Sequence, residues 1–468
     1  RIDALVTALA LGLAAGMDGG TSVGGGGAIA VNLIGGHSDA TVTTTRLTSS
    51  SGAVALRSEG SAVIAATVAA IAASIALTPG KTAVAVAIGF SLARNLIGWD
   101  EFGGVDPMSI SATVTDSALQ GAGDVTLGAT NAAAVTAKVL AFAAAIAASG
   151  STGVAGSVGG LWTDNRIGTR ITAAATRTAV TAGNRFVVTA KDTSTILADA
   201  KAGAVSASLA GSNAIAISVG LSLAENTIDT IVLASVDNPG TIVAPGGIVV
   251  TATNDATVTV SSLAVAVSLA AAGTTGVAFA GGGAVAQNQI VTTTNAQVVG
   301  ALMGTSATPV SAVTVVAEST GTITATVVGV AGSLAFGGTT GVAVALGIAV
   351  ARNMIGHHQI AVTPTHRTTD TNVTTLNTGD LVLIVDTNTS GGASTRGPPS
   401  SARAGETYRY LGPTRTLAAG FDLAGMDYSD VSTSQRADLA TVATGTTALI
   451  LASDIIASGA VRVTATNT

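Results

Sequence analysis

Residues 338–356 read Gly338-Thr339-Thr340-Gly341-Val342-Ala343-Val344-Ala345-Leu346-Gly347-Ile348-Ala349-Val350-Ala351-Arg352-Asn353-Met354-Ile355-Gly356. Gly-Thr-Thr-Gly supplies the left-handed or pre-set torsions of a turn. The run that follows, rich in β-branched residues, favours a strand. A half-exposed strand alternates apolar and polar side chains. Val342 to Val350 does not, so both of its faces must be covered, by a neighbouring sheet, another chain or lipid.

The closing asparagine step recurs. It appears as Asn32-Leu33-Ile34-Gly35, Asn95-Leu96-Ile97-Gly98, Asn165-Arg166-Ile167-Gly168, Asn226-Thr227-Ile228, Asn288-Gln289-Ile290 and Asn353-Met354-Ile355-Gly356. Successive asparagine numbers differ by 63, 70, 61, 62 and 65. Gly20, Gly153, Gly276 and Gly341 precede Asn32, Asn165, Asn288 and Asn353 at one fixed interval. Segments such as Phe186–Ala190 and Ile248–Ala252 close each unit. Three markers in phase predict tandem repeats at 1–60, 61–131, 132–192, 193–254, 255–320 and 321–468. The chain starts at Arg1 and stops at Thr468 in phase, which reads as a whole number of repeats from a longer array.

Each unit is expected to hold a long strand A (Ala256 to Ala272, for example), a glycine-centred hairpin turn, a long strand B and two shorter, more polar strands. The fold class is all-β: repeats of about 62 residues stacked into a solenoid-like or fibrous array. Small side chains would let sheets pack closely. The strand-B asparagines are read as turn formers or as a ladder between repeats.

Composition narrows the function. Of 468 residues 58 are glycine, aromatics are 3%, charged residues 10%, and mean hydropathy is +0.60. About 25% charged is usual for a globular domain, so this is not an ordinary enzyme composition. Disordered chains are polar, and nine prolines without a glycine triplet exclude collagen. A net charge of −6 with only four lysines leaves no basic patch for nucleic acid. No cysteine means no disulfide and no thiolate site. Uncharged runs such as Ala62 to Leu77 approach the length of a membrane helix, but their β-branched residues and frequent glycine turns favour strands.

The sixth unit carries an insertion at about 364–437 that contains all three tyrosines, Tyr408, Tyr410 and Tyr428. These are candidates either for recognition or for a small core of the insertion. A loop over Ser390 to Arg403 and a hairpin around Thr407 to Leu411 are expected.

The Ala/Val strand, glycine turn and Asn-x-Ile-Gly step resemble the β-strand repeats of giant secreted bacterial adhesin-like proteins. Glu406–Gly412, Phe421–Leu423 and Asp427–Asp430 are similar to inserts between such repeats. The resemblance implies an extracellular, surface-attached or fibrous protein, comparable to filamentous haemagglutinin-type adhesins, although the period here is longer than their coils.

Sites for chemistry are sparse. His357, His358 and His366 lack an acidic residue at metal-binding spacing and read as turn histidines, as does His37. Gly24 to Gly27 lacks the lysine of a phosphate loop. Asp380, Asp386, Asp422, Asp427 and Asp430 are the calcium candidates, the last three foremost. No nucleophile-elbow sequence is present, so no catalytic residue and no other cofactor are expected. The leading expectation is a structural protein whose partner is itself, forming an extracellular fibre, sheath or adhesin stalk. The alternatives are a module that binds a cell surface or matrix through the insertion, and an outer-membrane β-barrel.

Overall fold

The structure is a computed structural model that describes residues 1–359, 364–368, 370, 373–385, 407–416, 423, 426, 428, 434–436, 439–441 and 445–468. The chain divides into two bodies, Arg1–Ile355 with Thr444–Thr468, and Gly356–Ala443. Among the described residues there is no α-helix.

Twelve long strands dominate the first body: β1 (Ile2–Ala15), β2 (Gly19–Ile34), β3 (Val63–Thr78), β4 (Thr82–Ile97), β5 (Ala134–Ser149), β6 (Thr152–Thr176), β7 (Thr195–Ala210), β8 (Asn213–Val243), β9 (Gly247–Ala272), β10 (Thr275–Met303), β11 (Val313–Gly337) and β12 (Thr340–Ile355). The odd-numbered strands lie side by side in one sheet and the even-numbered strands in a second. Strands joined by a glycine turn therefore sit in different sheets, stacked face to face. This corrects the expected A/B hairpin: the turn is an arch between two sheets, and each strand bonds instead to its counterpart one segment away. Glycine serves either geometry, because both need a sharp reversal.

Every pairing in these two sheets is parallel. Ile2 stands beside Ile64, Val135 beside Ile64 on the other side, Asn165 beside Asn226, and Thr275 beside Thr340. The final segment resumes after the insertion, with Thr446–Leu451 pairing Thr294 onward and Val461–Asn467 pairing Val313 onward. Neither sheet closes into a barrel, so the outer-membrane β-barrel expectation fails for the described residues.

The interior differs between the two ends of the strands. Away from the arches it is a conventional apolar core, with Ile110, Leu127, Ile171, Phe186 and Ile228 fully buried. Many of the outward positions there are polar, among them Thr126, Thr130, Thr189 and Lys191. Near the arches the packing inverts. The buried positions there are alanine, serine and glycine, such as Ala85, Ala143, Ala145 and Ala155. The large apolar side chains point outward, and Leu5, Leu9, Leu11 and Leu13 are 70–78% exposed.

Close approach of the backbones explains the small interior. Gly26, Gly89, Gly159, Gly220, Gly282 and Gly347 form one in-register column across the second sheet. A Cβ on Gly159 would lie 2.1 Å from the carbonyl oxygen of Gly203 in the facing sheet, and one on Gly220 2.6 Å from that of Val265. Since the obstacle is backbone, the two sheets would have to separate. Buried serines bond across the same gap, Ser91 Oγ donating to Leu140 O at 2.6 Å and Ser74 Oγ to Ser22 O at 2.8 Å.

Gly159→Ala is expected to destabilise the first body by about 1–3 kcal/mol through overpacking. Gly156→Ala on the same strand, with nothing within 4 Å of the added methyl, is expected to be neutral. Thermal unfolding of both variants checks this, and equal melting temperatures would contradict the close-approach account.

Candidate functional site

Three of the six asparagines, Asn165, Asn226 and Asn288, lie mid-strand, since β6, β8 and β10 run straight through them, whereas β2, β4 and β12 end two residues beyond Asn32, Asn95 and Asn353. All six side chains face inward and bond in series. Asn32 Nδ2 donates to Asn95 Oδ1, Asn95 to Asn165, Asn165 to Asn226, Asn226 to Asn288 and Asn288 to Asn353, each at 2.8 Å. The parallel register creates this ladder, because each carboxamide sits one strand spacing from the next and a primary amide can donate and accept at once. In β4 the Ile-Gly step that follows marks the strand end, and Gly98 adopts a φ of +66°.

A second polar column lies on the first sheet, where Asn131, Asp192, Asn254 and Ser319 are neighbours. Asp192 is fully buried. Its Oδ1 accepts from Asn131 Nδ2 at 2.7 Å and from Ser194 Oγ at 2.9 Å, and its Oδ2 accepts from Ser194 N. Burial pushes this carboxyl above the usual range, the bonds from Asn131 and Ser194 oppose the shift, and Asp255 adds to it. Asn254 Nδ2 has no partner.

The densest group of charged and aromatic side chains lies on the outward face of the second sheet, and the sequence did not reveal it. Asp164 takes Arg94 Nε on one oxygen at 3.0 Å and Arg166 Nε on the other at 2.7 Å. The Arg166 guanidinium lies 5.1 Å from the Trp99 ring centroid. Residues 98–107 form a short excursion over this patch. Trp99 bridges Val105, and Asp100 Oδ1 accepts from Phe102 N and Gly104 N. Burial and the neighbouring Asp164 raise the Glu225 carboxyl, while Arg166 and a bond from Trp162 act against them. A signal was available: the interval from Asn95 to Asn165 is the longest between successive asparagines, and both tryptophans fall within it. An ion network with an aromatic lid latches a loop; it presents no nucleophile beside a base.

In the second body, Thr407–Tyr410 is a central strand, antiparallel to Leu381–Leu383 on one side and Ser434–Arg436 on the other. It is not the expected local hairpin. Tyr410 and Tyr428 are buried with Leu376, Val382, Ile384 and Leu423, and Tyr408 packs against them. Tyr408 and Tyr428 rings lie 5.1 Å apart. The tyrosines thus contribute to this body's own core. His366 Nε2 lies 3.3 Å from Asp380 Oδ2, so an acidic residue does stand beside it, although not as a sequence neighbour. Among the described residues no group of three or more His, Asp or Glu could hold a metal ion. Asp386, Asp422, Asp427 and Asp430 lie outside the described residues, as does the expected loop at 390–403. His357 and His358 fall in a short strand paired with Leu439–Thr441.

Comparison with known protein families, with curated proteins and with solved structures finds no match in any of the three. Among the described residues no helix is long and apolar enough to cross a membrane.

Two outcomes follow from the polar columns. Asn226→Leu leaves Asn165 Nδ2 and Asn288 Oδ1 buried with one partner fewer each, at about 1–3 kcal/mol per group. The expected loss is several degrees in melting temperature, and no loss would contradict a structural ladder. For Asp192, a raised pKa in the fold means that stability is greatest below the ordinary carboxylate pKa and falls as pH rises through the folded value. Asp192→Asn is therefore expected to match the wild type near pH ~3 and to exceed it at neutral pH and above. Melting temperatures measured across pH check this, and a difference independent of pH would contradict it.

Proposed function

We propose that the chain is a structural protein, a tandem β-repeat that stacks into an extracellular fibre, sheath or stalk. The single observation that supports this best is the asparagine ladder. Six carboxamides bond in one direction, which leaves an acceptor, Asn32 Oδ1, at one edge and a donor, Asn353 Nδ2, at the other. A second copy placed in the same parallel register would continue the ladder, with Asn353 donating to the partner copy's first asparagine. Its glycine and alanine columns would continue too, since Gly26 and Gly347 occupy one column. Edge strands of this kind pair with further strands unless they are blocked. In this reading each coil of about 62 residues is one layer of a solenoid-like array, and stability rises with the number of layers. The mechanism is mechanical: backbone pairing along the array and burial of small side chains between the sheets. Location outside the cell follows from the same reading and from the likeness to secreted adhesin repeats.

Electron microscopy and diffraction of the purified chain test it. Filaments with a strand spacing near ~4.7 Å along their axis are expected, and deletion of 364–437 is expected to leave them unchanged. Discrete single copies at all concentrations would contradict the proposal.

A further inference from the structure

The arch-proximal half of the first body is packed inside out, and the inversion has a defined height. On the first sheet the outward positions from the level of Leu140 to that of Ala148 are apolar or small in nearly every strand. The exceptions are Thr7 and Lys201 at the boundary level, where Lys201 is held by Asp199 at 2.7 Å. On the second sheet the outward positions from the level of Val84 to that of Leu92 carry no charge in any of the six strands. Both stretches are nine residues, about 30 Å at the rise of a strand.

The two stretches coincide in depth. Gly89 faces the backbone of Phe142, and Lys138 and Arg94 lie four and five residues beyond that level on their respective sheets. Charges begin there on both faces: Lys138 and Asp199 on one, Arg94, Asp164, Glu225 and Arg352 on the other. Trp162 marks the same border. On the far side the six arches are short and each contains a glycine, with Asp18 and Lys81 as their only charges.

Water does not favour this arrangement, because large apolar side chains gain most from burial, and the other half of the same body buries them. An apolar band on both faces, as tall as the hydrocarbon core of a bilayer, with a tryptophan and a charged row at one border and short glycine-containing turns at the other, matches lipid. Face-to-face stacking of copies would set no such height. We propose that this band seats in the hydrocarbon of a lipid bilayer, with the arches reaching the far side and the conventionally packed half remaining in water. Lipid cannot satisfy an open sheet edge, so this inference rests on the edge-to-edge stacking proposed above, which pairs those edges.

The test uses the full chain with vesicles of phosphatidylcholine and phosphatidylglycerol. Flotation with the vesicles is expected. Tryptophan emission should be quenched by lipids brominated near the headgroup more than by lipids brominated near the chain ends. Ile88→Lys with Leu346→Lys places two charges at mid-band on outward positions and is expected to lower the floated fraction roughly tenfold or more. Thr189→Lys, on the outward face of the other half, is expected to leave it unchanged. Retention of the ~4.7 Å diffraction spacing by the double variant shows that it still folds. Wild-type filaments that fail to float, or a double variant that floats as well as the wild type, would overturn the lipid inference and leave the fibre reading standing. Flotation of dispersed single copies would overturn both.

Discussion

Parallel pairing of each strand with its counterpart one segment away is the constraint on which the rest of the first body depends. It sets identical or similar side chains one strand spacing apart, and so turns single residues into columns. An asparagine becomes a ladder of five 2.8 Å bonds, and a glycine becomes a groove into which the facing backbone fits. A side chain that suits one strand of the column must suit its neighbours, which is why Gly26, Gly89, Gly159, Gly220, Gly282 and Gly347 are all glycine. The exceptions are informative. Where a column changes residue, as at Asn131, Asp192 and Asn254, the match is poorer: a buried acid stands between two amides, and Asn254 Nδ2 goes unpartnered.

The thin interior follows from the same constraint. Sheets close enough for a glycine Cβ to meet a facing carbonyl have room for methyl and hydroxymethyl groups and little else. Alanine contributes little apolar area per residue, so the arch-proximal half gains stability from backbone pairing and close packing rather than from a bulky core. Large apolar residues are then displaced to the outside, where their uniform height along the strands is the feature that calls for a covering medium.

Much of the architecture could be read before the fold was seen, because spacing survives in a sequence and spacing is register. The asparagine steps mark positions that the second sheet aligns. The choice between hairpin and arch could not be read. A glycine turn reverses the chain in both, and only the neighbouring segments decide whether the two strands bond edge to edge or stack face to face. Gly20, Gly153, Gly276 and Gly341 were visible as markers, while the more regular column from Gly26 to Gly347 was hidden in strands already rich in glycine. The Arg94–Asp164–Arg166 network draws on two segments, with Trp99 and Glu225 from either side, and no local motif announces it. The tyrosines of the insertion stood out by composition, yet composition does not tell a small core from a contact surface.

The distance between outward positions of the first and last strands of the second sheet tests the central claim most directly. Gly25 and Leu346 occupy one column, five strand pairings apart. The absence of cysteine lets Gly25→Cys with Leu346→Cys carry a unique pair of spin labels. With the labelled chain diluted into excess unlabelled chain, parallel counterpart pairing predicts a narrow distribution centred near ~24 Å, five strand spacings, plus the reach of the labels. If arch-linked strands instead alternated within one sheet as hairpins, the same pair would lie near ~48 Å, and that result would contradict the account.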